Sequence, residues 1–184
     1  MIVTVALMRH GGSHLIRPIV SNMGVERILE PGKFECPIDQ AEGPVIVFIR
    51  DPRDRMAATL RWWMAREKGR RYGTEPDDRL AGMLVDEGFL EHMLQWSRIW
   101  CVWPGALTVR FEDMRSDGPR EVGRIANHLG IPVEDPVAAF EAVYGKGRTY
   151  TGKHSNWKDY FGPKSLAAWD AHGGPELLGI MGYA

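Results

Sequence analysis

Ile2-Val3-Thr4-Val5-Ala6-Leu7-Met8, then Arg9-His10-Gly11-Gly12-Ser13-His14, then Leu15-Ile16-Arg17-Pro18-Ile19-Val20 is the stretch that decides the fold. The first run is apolar and β-branched and reads as a buried strand. The last can begin a helix over about residues 14–23. A strand, a short glycine-bearing turn and a helix make a ready anion site. Backbone N–H groups converge there, and the helix N-terminus adds roughly half a positive charge. Two glycines let the backbone come close to a ligand. Ser13 brings a hydroxyl, and Arg9, His10 and His14 bring charge. A phosphate or sulfate cradle and a plain tight β-α turn both fit this loop, which lacks the Gly-x-x-x-x-Gly-Lys-Ser/Thr spacing.

Working outward, Pro44-Val45-Ile46-Val47-Phe48-Ile49-Arg50 is a second strand, continuous enough to be buried on both faces. Asp51 can cap and Pro52 open a helix to about residue 68. Helices are expected near 77–86 and 88–102, a third strand at 106–111, and a helix at 118–129 closed by Gly130. Another helix is expected at 135–144, a loop at 145–162, and two short helices at the end. The stretch 24–43, with Pro31, Gly32, Pro37 and Gly43, reads as irregular. Alternating strands and helices predict an α/β fold: a P-loop-like three-layer α/β/α arrangement with a small central parallel sheet, in one domain over 1–184. Ligands of such sheets sit at the carboxyl ends of strands, which is where Arg50 and the 9–14 loop fall. Arg50 can fork onto a phosphate with Thr59 further along the helix, or pair with Asp54 as a structural ion pair.

The net charge of −1 gives no general pull toward nucleic acid or an anionic membrane, so neither is expected as a partner. Cys36 and Cys101 are too few for a disulfide framework, and no compact His/Cys cluster suggests a metal. The first strand starts beside Met1, leaving no room for a signal peptide, and no apolar run approaches the ~20 residues of a membrane span. A cytoplasmic setting is expected. Five of seven tryptophans (Trp62, Trp63, Trp96, Trp100, Trp103) cluster mid-chain. They line an apolar pocket or, as the 96, 100, 103 spacing favours, the core. Arg66, Lys68, Arg70 and Arg71 form a basic run, either a solvated face or an attractor of anions.

Four segments together resemble the sulfotransferases that use 3′-phosphoadenosine 5′-phosphosulfate (PAPS). Leu7–Leu15 stands where that family has Pro-Lys-Ser-Gly-Thr-Thr-Trp. Ile49-Arg50-Asp51-Pro52-Arg53-Asp54 is similar to its 3′-phosphate segment. Val109-Arg110-Phe111-Glu112-Asp113-Met114, with Ile125–Pro132, is similar to its Tyr-Glu-Asp-Leu strand and Phe-Leu-Gly helix end. Gly152-Lys153-His154-Ser155-Asn156-Trp157-Lys158-Asp159-Tyr160-Phe161 is similar to its Lys-Gly-x-x-Gly-Asp-Trp-Lys-Asn-x-Phe segment.

The resemblance implies metal-free transfer of a sulfuryl group from PAPS to a hydroxyl or amine on a small-molecule, glycan or peptide acceptor. It implies donor binding by Arg9, Gly11, Gly12, Ser13, His14 and Leu15, by Arg50 and Thr59, and by Arg148, Gly152 and Lys153. His10 takes the place of the family lysine. In Lys33-Phe34-Glu35-Cys36, Glu35 is the candidate base and Lys33 a second cation, with His14 a rival base. The chain departs from the pattern at Leu15 (Trp in the family), Ala58 (Ser, so that Thr59 must substitute), Phe111 (Tyr) and Tyr150-Thr151 (a basic pair). Two alternatives stay open. Leu7–Gly11 also resembles the Arg-His-Gly signature of histidine phosphatases, with His172 as a second histidine. The departures would also suit a nucleotide-binding relic of the fold.

Overall fold

The computed structural model describes residues 1–8, 13–29, 41–66, 68, 72–145 and 157–183. In chain order the elements are β1 (Ile2–Leu7), α1 (Ser13–Asn22), β2 (Arg27–Leu29), β3 (Val45–Ile49), α2 (Pro52–Met64), α3 (Pro76–Val85), α4 (Phe89–Trp100), β4 (Leu107–Arg110), α5 (Phe111–Ser116), α6 (Gly118–Leu129), α7 (Pro136–Glu141), a 3-10 turn (Trp157–Asp159), α8 (Pro163–Ala171) and α9 (Gly174–Met181). They fall into two compact units, Met1–Arg50 with Val102–Lys153, and Asp51–Cys101 with His154–Ala184.

The first unit holds a parallel four-stranded sheet of order β2-β1-β3-β4. All five residues of β3 are buried, as a central parallel strand requires. Thr4 is the polar exception within β1. Its hydroxyl donates to the Glu42 carbonyl and accepts from the Glu42 N–H, both at 2.9 Å, so its burial leaves nothing unsatisfied. β2 corrects the expectation of irregular chain at 24–43. Only Arg27–Leu29 pairs with β1, too short a run for period-2 alternation to show.

Helix α1 turns Leu15, Ile16, Ile19 and Val20 inward, onto a core shared with Val3 and Val5 of β1, Phe48 of β3 and Val122, Ile125 and Leu129 of α6. α6 matches its expected bounds and ends at Gly130, whose φ of 66° is the left-handed cap a glycine supplies without strain. Near that end His128 Nε2–H donates to the Val45 carbonyl at 3.0 Å, tying α6 to the start of β3. The strand expected to reach Phe111 stops at Arg110, and Phe111 opens α5. Glu112 and Asp113 suit a helix N-terminus, and they outweigh the β-propensity of Phe111.

The second unit is helical. Helix α2 stops at Met64, short of the expected 68. Trp100 is fully buried and Trp96 nearly so, which makes them core rather than pocket lining. The contact of α3 with α8 is organised by Asp77. Its carboxylate accepts from the N–H groups of Gly162 (3.0 Å), Lys164 (3.1 Å) and Ser165 (2.9 Å), and from the Ser165 hydroxyl (2.6 Å). An acid on one helix therefore satisfies the orphan donors at the start of another. A Cβ at Gly162 would stand 2.6 Å from this carboxylate, so the close approach needs glycine. Among the described residues no helix is long and apolar enough to cross a membrane.

Partial burial raises the Asp77 carboxyl, but the Ser165 hydroxyl and the three N–H groups together outweigh it and hold the group below its ordinary 3.8. A depressed carboxyl stabilises the fold above its unfolded pKa, and that contribution is lost as pH falls through the folded value. Asp77→Ala is expected to cost about 2 kcal/mol in urea unfolding at pH 7. The gap between variant and wild type should narrow as pH falls through that lowered value. An unchanged gap there would mean that the charge of Asp77 contributes nothing.

Candidate functional site

The sheet register brings two of the sequence-marked segments to one edge. In the parallel β1–β3 pair Leu7 stands opposite Phe48, so the chain leaves β1 beside the strand end that carries Arg50. Neighbouring strands lie about 4.8 Å apart. In the order β2-β1-β3-β4 successive connections diverge from β1 to either side, which makes the β1/β3 edge a topological switch point. Arg50 is only 8% exposed, and its guanidinium carbon lies 4.7 Å above the Phe111 ring. Phe111 in turn meets Phe48 edge to face at 6.4 Å. The cation thus sits on a stacked aromatic base at the strand end, desolvated enough for its charge to act strongly on an anion.

Helix α1 begins at Ser13 with no acidic residue in its first turn, which leaves its partial positive charge uncompensated from within. Because Leu15, Ile16, Ile19 and Val20 face the core, Ser13, His14, Arg17 and Ser21 face outward. They border an open groove of about 750 Å³ whose apolar floor includes Pro18, Val25, Ile28 and Val143. That volume falls within the range of small-ligand sites. Leu15 is 6% exposed and belongs to the core rather than to this groove.

In the second unit, residues 51–54 lock onto Trp157. Asp51 caps α2 by accepting from the Arg53 N–H (2.9 Å) and takes the Arg53 guanidinium bidentately (3.0 and 2.7 Å). Asp51 hydrogen bonding, reinforced by its charge and that of Asp54 against a smaller burial penalty, raises the pKa of Arg53. The same guanidinium stacks 4.6 Å over the Trp157 indole, and the Trp157 N–H donates to Asp54 at 3.1 Å. Trp157, Phe161 and Trp169 continue edge to face at 5.7 and 5.8 Å.

A family model described as "Sulfotransferase domain" matches residues 43–144. The chain belongs to the sulfotransferase domain family. Among solved structures, mouse sulfotransferase SULT7A1 complexed with PAP is similar at a TM-score of 0.71 and 15% identity, covering 100% of this chain and 88% of that one. Retinol dehydratase in complex with androsterone and inactive cofactor PAP is similar at 0.69 and 14%, covering 96% and 80%. At these identities the likeness is one of fold. No curated protein matches the chain in sequence.

Of the site residues expected in this sulfotransferase, Ser13 and His14 lie at the head of α1 and Arg50 at the strand edge. Thr59 is 3% exposed in α2 and donates its hydroxyl proton to the Arg55 carbonyl at 2.9 Å. In that rotamer it has no proton left for an anion. Arg9, His10, Gly11, Gly12, Lys33, Glu35, Arg148, Gly152 and Lys153 lie outside the described residues. His172 follows helix α8, not the strand a histidine phosphatase would place before its second histidine.

Sequence reasoning missed the Asp54–Trp157 tie and the contribution of Val143 to the groove. The shared presence of both segments was the only available cue to the first. Nothing in the sequence marked the second. Asp54→Ala is expected to destabilise the protein by about 1–3 kcal/mol, by leaving the Trp157 N–H without its acceptor. Asp54→Asn, which keeps a carbonyl oxygen there, should lose less than half of that in urea unfolding. Equal losses would mean the Asp54 charge, not this hydrogen bond, matters.

Proposed function

We propose that this sulfotransferase moves a sulfuryl group from PAPS to a hydroxyl or amine acceptor, as a single domain acting in the cytoplasm without a metal. The observation that carries the reading is Arg50, a buried cation at the strand edge beside the chain that leads into the uncompensated N-terminus of α1. These groups suit a ligand with two anionic ends. The groove along α1, which Ser13 and His14 border and whose lining does not include Arg50, is assigned in this reading to the nucleoside.

In this reading the N–H groups of Gly12, Ser13 and His14 hold the 5′-phosphate, with Arg9 and Gly11 completing the loop and Leu15 fixing it to the core. Arg50 holds the 3′-phosphate, joined by Arg148, Gly152 and Lys153, and by Thr59 if its hydroxyl turns away from Arg55. The donor supplies an activated sulfuryl group on a good leaving group. The protein orients it and places positive charge where negative charge develops. His10 serves as cation or general acid at the leaving oxygen. Glu35, or His14 in its stead, removes the acceptor proton, and Lys33 adds charge nearby.

Calorimetric titration of PAP tests the reading. Wild type should bind at micromolar Kd and Arg50→Ala at least about tenfold more weakly, as loss of a charge-assisted hydrogen bond implies. Val143→Trp, which fills the groove, should weaken binding as well. No binding at millimolar PAP would overturn the donor assignment. Binding without turnover on any acceptor would make the chain a nucleotide-binding relic.

The role of His10 has its own signature. An imidazole near its ordinary ~6.5 gains charge when an anion raises its pKa, so turnover should fall as pH rises through that raised value. His10→Lys should hold the rate level to about pH 9. A flat wild-type profile between about pH 6 and 9 would exclude a cationic role for His10.

A further inference from the structure

One guanidinium of the first unit is left with its inner donors unmet. Arg115 belongs to α5, and among the described residues its Nε and Nη1 are closed off from solvent and have no hydrogen-bond partner. Donors of a charged group are costly to bury in that state, so they are rare unless something else meets them. Glu112 stands three residues earlier, the spacing of a helical ion pair, yet Arg115 forms none with it. At the same spacing on α6, Arg124 does pair with Glu121, at 2.6 Å.

The position of Arg115 links it to the strand edge. Strand β4 pairs with β3 as far as Arg110 opposite Ile49, so α5 starts at the edge that carries Arg50. Phe111, the first residue of α5, lies under the Arg50 guanidinium at 4.7 Å. Arg115 follows at i+4 and so shares the face of α5 that Phe111 occupies. Four residues of helix rise about 6 Å, a distance an arginine side chain can span. Helical side chains lean toward the N-terminus of their helix, which turns Arg115 back toward Phe111 and that edge. The side chain as a whole is partly exposed, as a ligand arriving from solvent requires.

We propose that Arg115 is the second guanidinium of an oxyanion site whose other cation is Arg50. The site lies wholly in the first unit. Two N–H groups on one rigid fork match two oxygens of a phosphate or sulfate group. A neutral acceptor would meet the N–H groups and leave the buried charge unbalanced, whereas an oxyanion meets both. An anion between the two guanidinium groups also removes their mutual repulsion, which desolvation strengthens. That the oxyanion is the 3′-phosphate of the donor rests on the transferase reading. The oxyanion site itself does not.

Arg115→Met is the test, because it keeps the length of the side chain and removes its donors and charge. Its thermal midpoint should equal or exceed that of wild type, as relief of unmet donors implies. PAP should bind it at least about tenfold more weakly in calorimetry. Adenosine 5′-phosphate, which lacks the 3′-phosphate, should bind both proteins alike. Arg115→Lys, charged but without the fork, should fall between them for PAP. Arg120→Gln, which removes an exposed cation from α6, should bind PAP as wild type does. Millimolar sulfate, against chloride at matched ionic strength, should raise the wild-type midpoint and raise that of Arg115→Met less. Equal PAP affinity, a lowered midpoint in Arg115→Met, or an equal weakening of adenosine 5′-phosphate would each overturn the proposal. If wild type binds no PAP, the transferase reading fails alone. The larger sulfate shift of wild type then supports the oxyanion site, and equal shifts overturn it.

Discussion

The parallel pairing of β1 with β3 is the constraint on which the rest depends. Both strands are buried along nearly their whole length, so neither face has room for an unsatisfied polar group. Thr4 is admitted only because Glu42 satisfies it twice. The hydrogen-bonding and charged groups that do chemistry must wait until the strands end. The parallel register makes the two central strands end together, so the end of β1 and Arg50 come to one edge by topology. The candidate site falls at that edge because the buried strands leave no place for it along their length.

The fold was legible wherever burial writes a long pattern. β1, β3 and α6 each carry enough apolar residues at one period to be read unaided. β2 was not, since three residues cannot display a period and its membership comes from β1 offering an open edge. Phe111 misled by propensity. An aromatic at a strand end reads as strand, but the chain needed it underneath Arg50, and two acids behind it favoured a helical start. The candidate site was half legible. Arg50 could be picked out from its place at a strand end, but the groove residue Val143 looks in sequence like any apolar helix position.

Arginines show how context divides one residue type into different uses. Arg53 is committed to a carboxylate fork and an indole, which fixes the start of α2. Arg55 is buried so deeply that desolvation brings its pKa down to about 10, an electrostatic cost the fold carries within α2. Arg50 lies over the Phe111 ring, and Arg66 over that of Trp62. A ring holds a guanidinium in place without neutralising it, whereas a carboxylate does both.

The same reasoning bears on how a nucleoside would be gripped. Where the resemblance sets a tryptophan, this chain has Leu15, and α1 turns that position into the core. An aromatic platform at the mouth of the loop is thereby given up. What the outward face of α1 and its neighbours supply instead is a floor of Pro18, Val25, Ile28 and Val143 under the rim of Ser13, His14 and Arg17. Aliphatic groups reward burial of a base at about 25 cal/mol per Å² but add no ring stacking, which is worth about 1–3 kcal/mol per base. If the proposed donor binds there, such a floor would make the purine the weaker part of its recognition. In the proposed reading, specificity would reside in the groups that meet the two anionic ends of the ligand, above all in Arg50.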